Sequence, residues 1–226
     1  MLFIILRMNN PFTKIIGFVS VIAIAYSVGI FTSFGSLMTT TAWNSWYGYG
    51  YWYGYAANVT VTEAFDRAVS QGIVKNVPQS QANLDKEITR LQAAKVITNY
   101  AKKVKWVIIT SRSECKVSDY NDANLIPAGE VQYVKAVCDM GIMGVNPDGT
   151  MKDTFMSSKT LTRGEFATML SRHLYGSANE ATNNEAFYKK HLAALKTNGI
   201  ITNDKASMTE LRGWVLIMFK RLSMKN

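Results

Sequence analysis

The chain has 226 residues, with 25 Lys and Arg against 16 Asp and Glu for a formal charge of +9, 48% hydrophobic and 18% charged residues, and two cysteines. These figures exclude a wholly disordered chain, which is less apolar, and a disulfide-dense miniprotein, which carries many more cysteines. The length allows one domain or two small ones, and the basic balance points to an anionic partner (wall polymer, nucleic acid or lipid headgroups) without choosing among them.

In chain order, the first feature is an absence of charge. No Asp, Glu, Lys or Arg occurs between Lys14 and Glu63. Ile15 to Phe31 is almost wholly apolar, follows Arg7 and Lys14, and precedes small and polar residues ending at Thr40-Thr41-Ala42. A basic flank, an apolar run and a small-x-small site describe a secretory signal peptide cleaved after Ala42. The 17-residue run also reaches the lower limit of a spanning helix, about 17–25 residues. Residues 1–42 are therefore read as a signal peptide or a membrane anchor, with Met8 an alternative start, and in both readings the chain beyond them is exported. Membrane contact is expected only through residues 15–31, if they are retained.

Residues 43–58 form a low-complexity linker. Trp43 to Tyr55 holds eight aromatics in 13 residues, interleaved with glycine. Such a tract serves as a wettable spacer, or it stacks on sugar rings or on its own copies, since aromatic faces bury large areas at little entropic cost. Asn58-Val59-Thr60 is a glycosylation sequon, a three-residue match of low specificity.

From residue 59 the texture becomes helical and repeats three times, over about 59–105, 116–176 and 183–226. A first helix ends in Gly-Ile at Gly72-Ile73, Gly141-Ile142 and Gly199-Ile200, preceded by apolar residues at helical spacing: Phe65, Ala68 and Val69; Val134, Val137 and Cys138; Leu192 and Leu195. Glycine there is a helix stop, because the left-handed conformation costs it nothing. A second helix is expected to start at Thr89-Arg90-Leu91-Gln92, at Thr162-Arg163-Gly164-Glu165 and at Thr209-Glu210-Leu211-Arg212. The first two are capping boxes, whereas the third lacks an acceptor three residues on. Their apolar faces are Ala93, Val96 and Ile97; Phe166, Met169 and Leu170; and, more weakly, Leu216 and Ile217. Two short helices cannot bury their own apolar face, so three copies imply mutual packing around a shared axis.

Val117-Ser118-Asp119, Val137 to Gly144, Pro147 to Met151 and Leu161 to Phe166 together resemble the S-layer homology domain in order and spacing. The middle repeat matches well, the first partly and the third faintly. The resemblance implies a mainly α fold, three helix–loop–helix repeats packed as a pseudo-threefold module, which binds cell-wall polysaccharide in grooves between repeats. By the same resemblance Asp119, Arg163 and Arg90 help build those grooves. Their chemistry suits the task, since a guanidinium pairs bidentately with an anionic substituent and a carboxylate accepts from hydroxyls. Taken residue by residue, Arg163 is equally explained as a solvated helix-start residue, Glu165 by capping and Asp119 as a turn cap. The first and third repeats lack the opening Asp, and Thr209-Glu210 sets a carboxylate where the arginine is expected, leaving at most two competent grooves.

Other chemistry is sparse. His173 and His191 are expected on the surfaces of separate helices without ligand-spaced partners, so neither a metal nor any other cofactor is called for. Ser113-x-x-Lys116 matches a nucleophile motif whose companion elements are missing, and it is set aside. Cys115 and Cys138 are an even pair in an exported chain and read as a disulfide, with two buried thiols the alternative.

The function expected is therefore a non-enzymatic envelope protein held to an anionic cell-wall or surface polysaccharide. The first alternative is a structural surface protein whose repeats pack and self-assemble, with the aromatic tract available for self-association. The second is an exported enzyme or a nucleic-acid binder using Lys102, Lys103 and Lys105, although a lysine run is ordinarily a solvated face.

Overall fold

The computed structural model describes residues 59–225 except 147 and 183. The leader or anchor at 1–42, the aromatic tract and the sequon residue Asn58 lie outside the described residues. What is described is mainly α: α1 (Val61–Ser70), α2 (Arg90–Lys103), α3 (Val131–Asp139), α4 (Arg163–Tyr175), α5 (Lys189–Thr197) and α6 (Arg212–Ser223), linked by loops and short 3-10 turns. Among these residues the only β pairing is a few isolated bridges, and no helix is long and apolar enough to cross a membrane.

Local chemistry fixes the helix ends. Thr60, Thr89 and Thr162 cap α1, α2 and α4, each accepting from the amide of the third helical residue while Glu63, Gln92 or Glu165 reaches back to the cap amide. The stops at Gly72, Gly141 and Gly199 have φ of 66°, 70° and 61°, a region closed to most side chains. Each following isoleucine is buried. Its carbonyl accepts a side-chain bond from a second helix: Ile73 from Asn99 at 2.9 Å, Ile142 from Arg172 at 3.5 Å, and Ile200 from Arg221 at 3.1 Å.

The start of α6 differs from the expectation. Helix begins at Arg212 with Leu211 as its cap and no side-chain cap bond, so Thr209 lies outside it. The reason is tertiary. Glu210 accepts from the Ile88 amide at 3.0 Å and donates its own amide to Leu161 at 2.8 Å, while Leu161 donates to Ile88 at 3.0 Å. These bonds close a ring of three residues and hold Glu210 extended. The two-residue shift makes Val215, Met218, Phe219 and Leu222 the buried face of α6 along with Leu216.

The helices pack as α1 on α6, α2 on α3 and α4 on α5, so the first described helix meets the last. The starts of α2, α4 and α6 converge on the ring. Their first two amides donate to neighbouring loops: Arg90 and Leu91 to Lys159 and Ser157, Arg163 and Gly164 to Met208 and Ala206, Arg212 and Gly213 to Lys86 and Leu84. Donors that a helix N-terminus leaves unpaired are thereby satisfied across the fold. A Cβ on Gly213 would lie 2.8 Å from Val61 and 3.0 Å from the Leu84 carbonyl, so this close approach requires glycine. Beneath the ring, Ala93, Phe166 and Val215, then Ile97, Leu170 and Phe219, occupy matching offsets and are all buried. Cys115 and Cys138 form the disulfide, with Cα atoms 5.7 Å apart.

Candidate functional site

Three arginines stand at the first helical position of α2, α4 and α6: Arg90, Arg163 and Arg212. Thus the third helix start does carry an arginine, two residues beyond where the sequence pattern set it. The three guanidinium groups have different fates.

Arg163 is turned inward. It is 5% exposed and pairs through Nε and Nη2 with the Glu210 carboxylate, the latter bond 2.9 Å long. Its Nη1 donates to the Asn203 carbonyl at 2.9 Å, and Trp214 lies against it at 5.4 Å. Burial pushes the Glu210 carboxyl above its ordinary range, and Arg163 opposes that rise. Each nitrogen of the buried guanidinium bonds a protein acceptor, so the role of Arg163 here is internal.

Arg90 instead borders a groove of about 320 Å³, shared with Lys152, Glu165, Arg172, Glu180 and Phe187. Its Nε donates to the Phe155 carbonyl at 2.6 Å and its plane lies over the Phe155 ring. Both groove carboxylates are already engaged. Glu165 pairs with Lys159 at 2.6 Å, and Glu180 forms two bonds with Arg172 at 2.5 and 2.8 Å. Lys152 is held below the usual lysine range, first by burial and then by Arg90, Arg172 and Lys159. The groove therefore has an excess of positive charge.

Arg212 borders a larger groove, about 550 Å³, whose walls include Phe65, Ile73, Val77, Leu84 and Tyr133. The Lys95–Glu130 pair at 2.7 Å also lines it. Arg212 Nε and Glu130 Oε2 are buried without a hydrogen-bond partner among the described residues. This groove is chiefly apolar and is a weaker candidate for a charged sugar.

Asp119 ends a 3-10 turn, exposed, accepting from Ser118 Oγ at 3.2 Å, and it is on the wall of neither groove. The carboxylate that organises this region is Asp122, which sequence reasoning missed. It accepts from the amides of Phe155 and Met156 at 2.8 and 2.7 Å. This pins the loop whose Phe155 carbonyl holds Arg90. Tyr120 beside it is pushed up to about 12, mainly by burial. Asp119 and Asp122 both sit in a turn-rich stretch, so residue type alone does not separate them.

The histidines also depart from expectation. His191 is fully buried, not on a helix surface, because α5 packs that side against α4. Its Nδ1 lies 2.9 Å from Ser171 Oγ and its Nε2 3.7 Å from Glu180. Ser171 is equally buried, and His191 Nε2 has no hydrogen-bond partner among the described residues. His173 packs edge-on against Tyr100. Burial lowers the pKa of both imidazoles. An imidazole depressed in the folded state leaves stability at its full value above about pH 6.5 and lowers it as pH falls from there, since only the unfolded chain takes up the proton readily. The urea midpoint is expected to drop between pH 7 and 5.5, with a smaller drop in His191→Gln; identical slopes would refute this.

Among the described residues no group of three or more His, Cys, Asp or Glu is placed to hold a metal ion. No protein-family model matches the chain, and no curated protein matches it.

Proposed function

We propose that this chain is an exported, non-enzymatic envelope protein whose residues 59–226 form a pseudo-threefold module of S-layer homology type, holding it to an anionic cell-wall or surface polysaccharide. The observation that carries the reading is the groove at Arg90, where Arg90 and Lys152 face space while both neighbouring carboxylates are spent on other cations. An anionic sugar substituent seated there relieves the cation repulsion on Lys152 and meets a guanidinium already oriented by Phe155. The ring of Ile88, Leu161 and Glu210, with three helix starts converging on it, is the packing that three degenerate repeats would need. In this reading the Arg163 groove is closed by Glu210, and Arg90 is the principal contact.

The test is co-sedimentation of the full chain with purified cell-wall sacculi. Arg90→Ala and Lys152→Ala are expected to weaken binding about tenfold each, the usual scale for one charge-assisted contact. Asp119→Ala is expected to bind like wild type. Unchanged binding by both groove variants would sink the reading, and ordered oligomers without sacculus binding would favour structural self-assembly.

A further inference from the structure

We propose that the segment Lys105–Thr110, with the end of α2, is a docking surface for an anionic lipid surface. The chain leaves α2 with Trp106 at φ 53°, a left-handed conformation that a bulky side chain rarely adopts. The Val107 amide bonds the Ala101 carbonyl at 2.9 Å and fixes this geometry. Glycine would fill the position without strain. Tryptophan stands there with 82% of its surface in water, followed by Val107 at 39% and Ile108 at 91%. Neither folding nor packing accounts for leaving both Trp106 and Ile108 in water. Backbone strain kept at an exposed aromatic residue points to a contact with something else.

The charge around the segment selects the occupant. Residues 99–113 contain Lys102, Lys103, Lys105 and Arg112, the last facing Glu114 at 3.9 Å, and no acidic residue. Lys102, Lys103 and Lys105 are exposed beside Trp106, and the Lys103 ammonium donates to the Gly72 carbonyl, which leaves its charge in place. Indole with lysine is the pairing that favours a bilayer interface, the ring among the headgroups and the ammonium groups on anionic lipid. A β-branched stretch, Val107 to Thr110, also offers its backbone to a second copy of the chain. There, however, the lysine clusters would oppose one another, as edge lysines do against self-pairing. A hydrophilic wall polymer would answer the lysines and leave Ile108 in water.

The surface is tested in the full chain by placing an environment-sensitive dye on Thr110→Cys under non-reducing conditions, with the same dye on Ser207→Cys as reference. A blue shift is expected at position 110 on adding phosphatidylglycerol vesicles, and none at 207 or with phosphatidylcholine alone. Trp106→Ser with Ile108→Ser removes the shift. Lys102→Gln and Lys103→Gln each weaken it about fivefold, the usual effect of one basic residue near such a surface, and circular dichroism separates from this any loss of the Lys103 bond to Gly72. Sacculus binding is unaffected by any of them, so this surface and the Arg90 groove fail or stand separately. The proposal is overturned by no shift, by an equal shift with neutral vesicles, by a lipid-free shift that grows with protein concentration, or by one produced by a soluble polyanion.

Discussion

Replacing Arg163 with alanine is expected to lower the stability of the module by about 3–5 kcal/mol, the usual cost of breaking a buried ion pair from one side. The loss comes mainly from what remains. Glu210 is fully buried, its backbone is locked in the ring with Ile88 and Leu161, and its carboxylate cannot swing to water without opening that ring. Asn203 and Trp214 lose the guanidinium as well. Because burial already raises the Glu210 pKa, removing Arg163 raises it further, and the carboxyl takes up a proton more readily folded than unfolded. The deficit of Arg163→Ala is therefore expected to narrow as pH falls from 7 towards 5. The double variant Arg163→Met with Glu210→Leu is expected to lie near wild type, since apolar replacement of a whole buried pair is often neutral. Urea unfolding followed by circular dichroism measures all three. A single variant within about 1 kcal/mol of wild type would mean that the pair is far less desolvated than described.

Removing the disulfide, as Cys115→Ser with Cys138→Ser, is expected to cost roughly 3 kcal/mol on the chain-entropy estimate for a loop of this length. The two cysteines are 23 positions apart and, with Val145, form a small buried cluster set off from the main core. The bond ties the segment leading into Val117–Asp119 to α3 at its apolar side. For a unit of this size each kcal/mol moves the melting temperature by about 2–4 °C, so a fall of roughly 6–12 °C is expected by calorimetry. The same fall should follow reduction of the wild type. Coincident melts with and without reductant, the reduced state being verified by thiol counting, would contradict the account.

What was legible in the sequence was short-range. The capping boxes at Thr89 and Thr162 and the glycine stops at 72, 141 and 199 lie where residue type and spacing placed them, because each is decided by neighbours within one helical turn. The alternation of apolar residues likewise identified Phe65, Val134, Val137, Phe166 and Leu195 as buried. The cysteine pair was legible as a choice between two states, and the structure contains the bond.

The failures all involve partners distant in sequence. Thr209 has the residue type of a cap, but hydrogen bonds from Ile88 and to Leu161 keep Glu210 extended and move the start of α6 to Arg212. Arg163 and Arg90 share a motif and a helical position. One meets Glu210, 47 residues away, and is sealed, while the other meets the Phe155 carbonyl and borders a groove. His191 reads as a surface residue until α5 is laid against α4 and Ser171. By itself the sequence determined that this chain makes helices, where two of them begin and three others stop, and which faces are apolar. Only the tertiary structure decided which arginine is open, since the fate of a charge depends on what other segments bring within a few ångströms, and no local pattern encodes that.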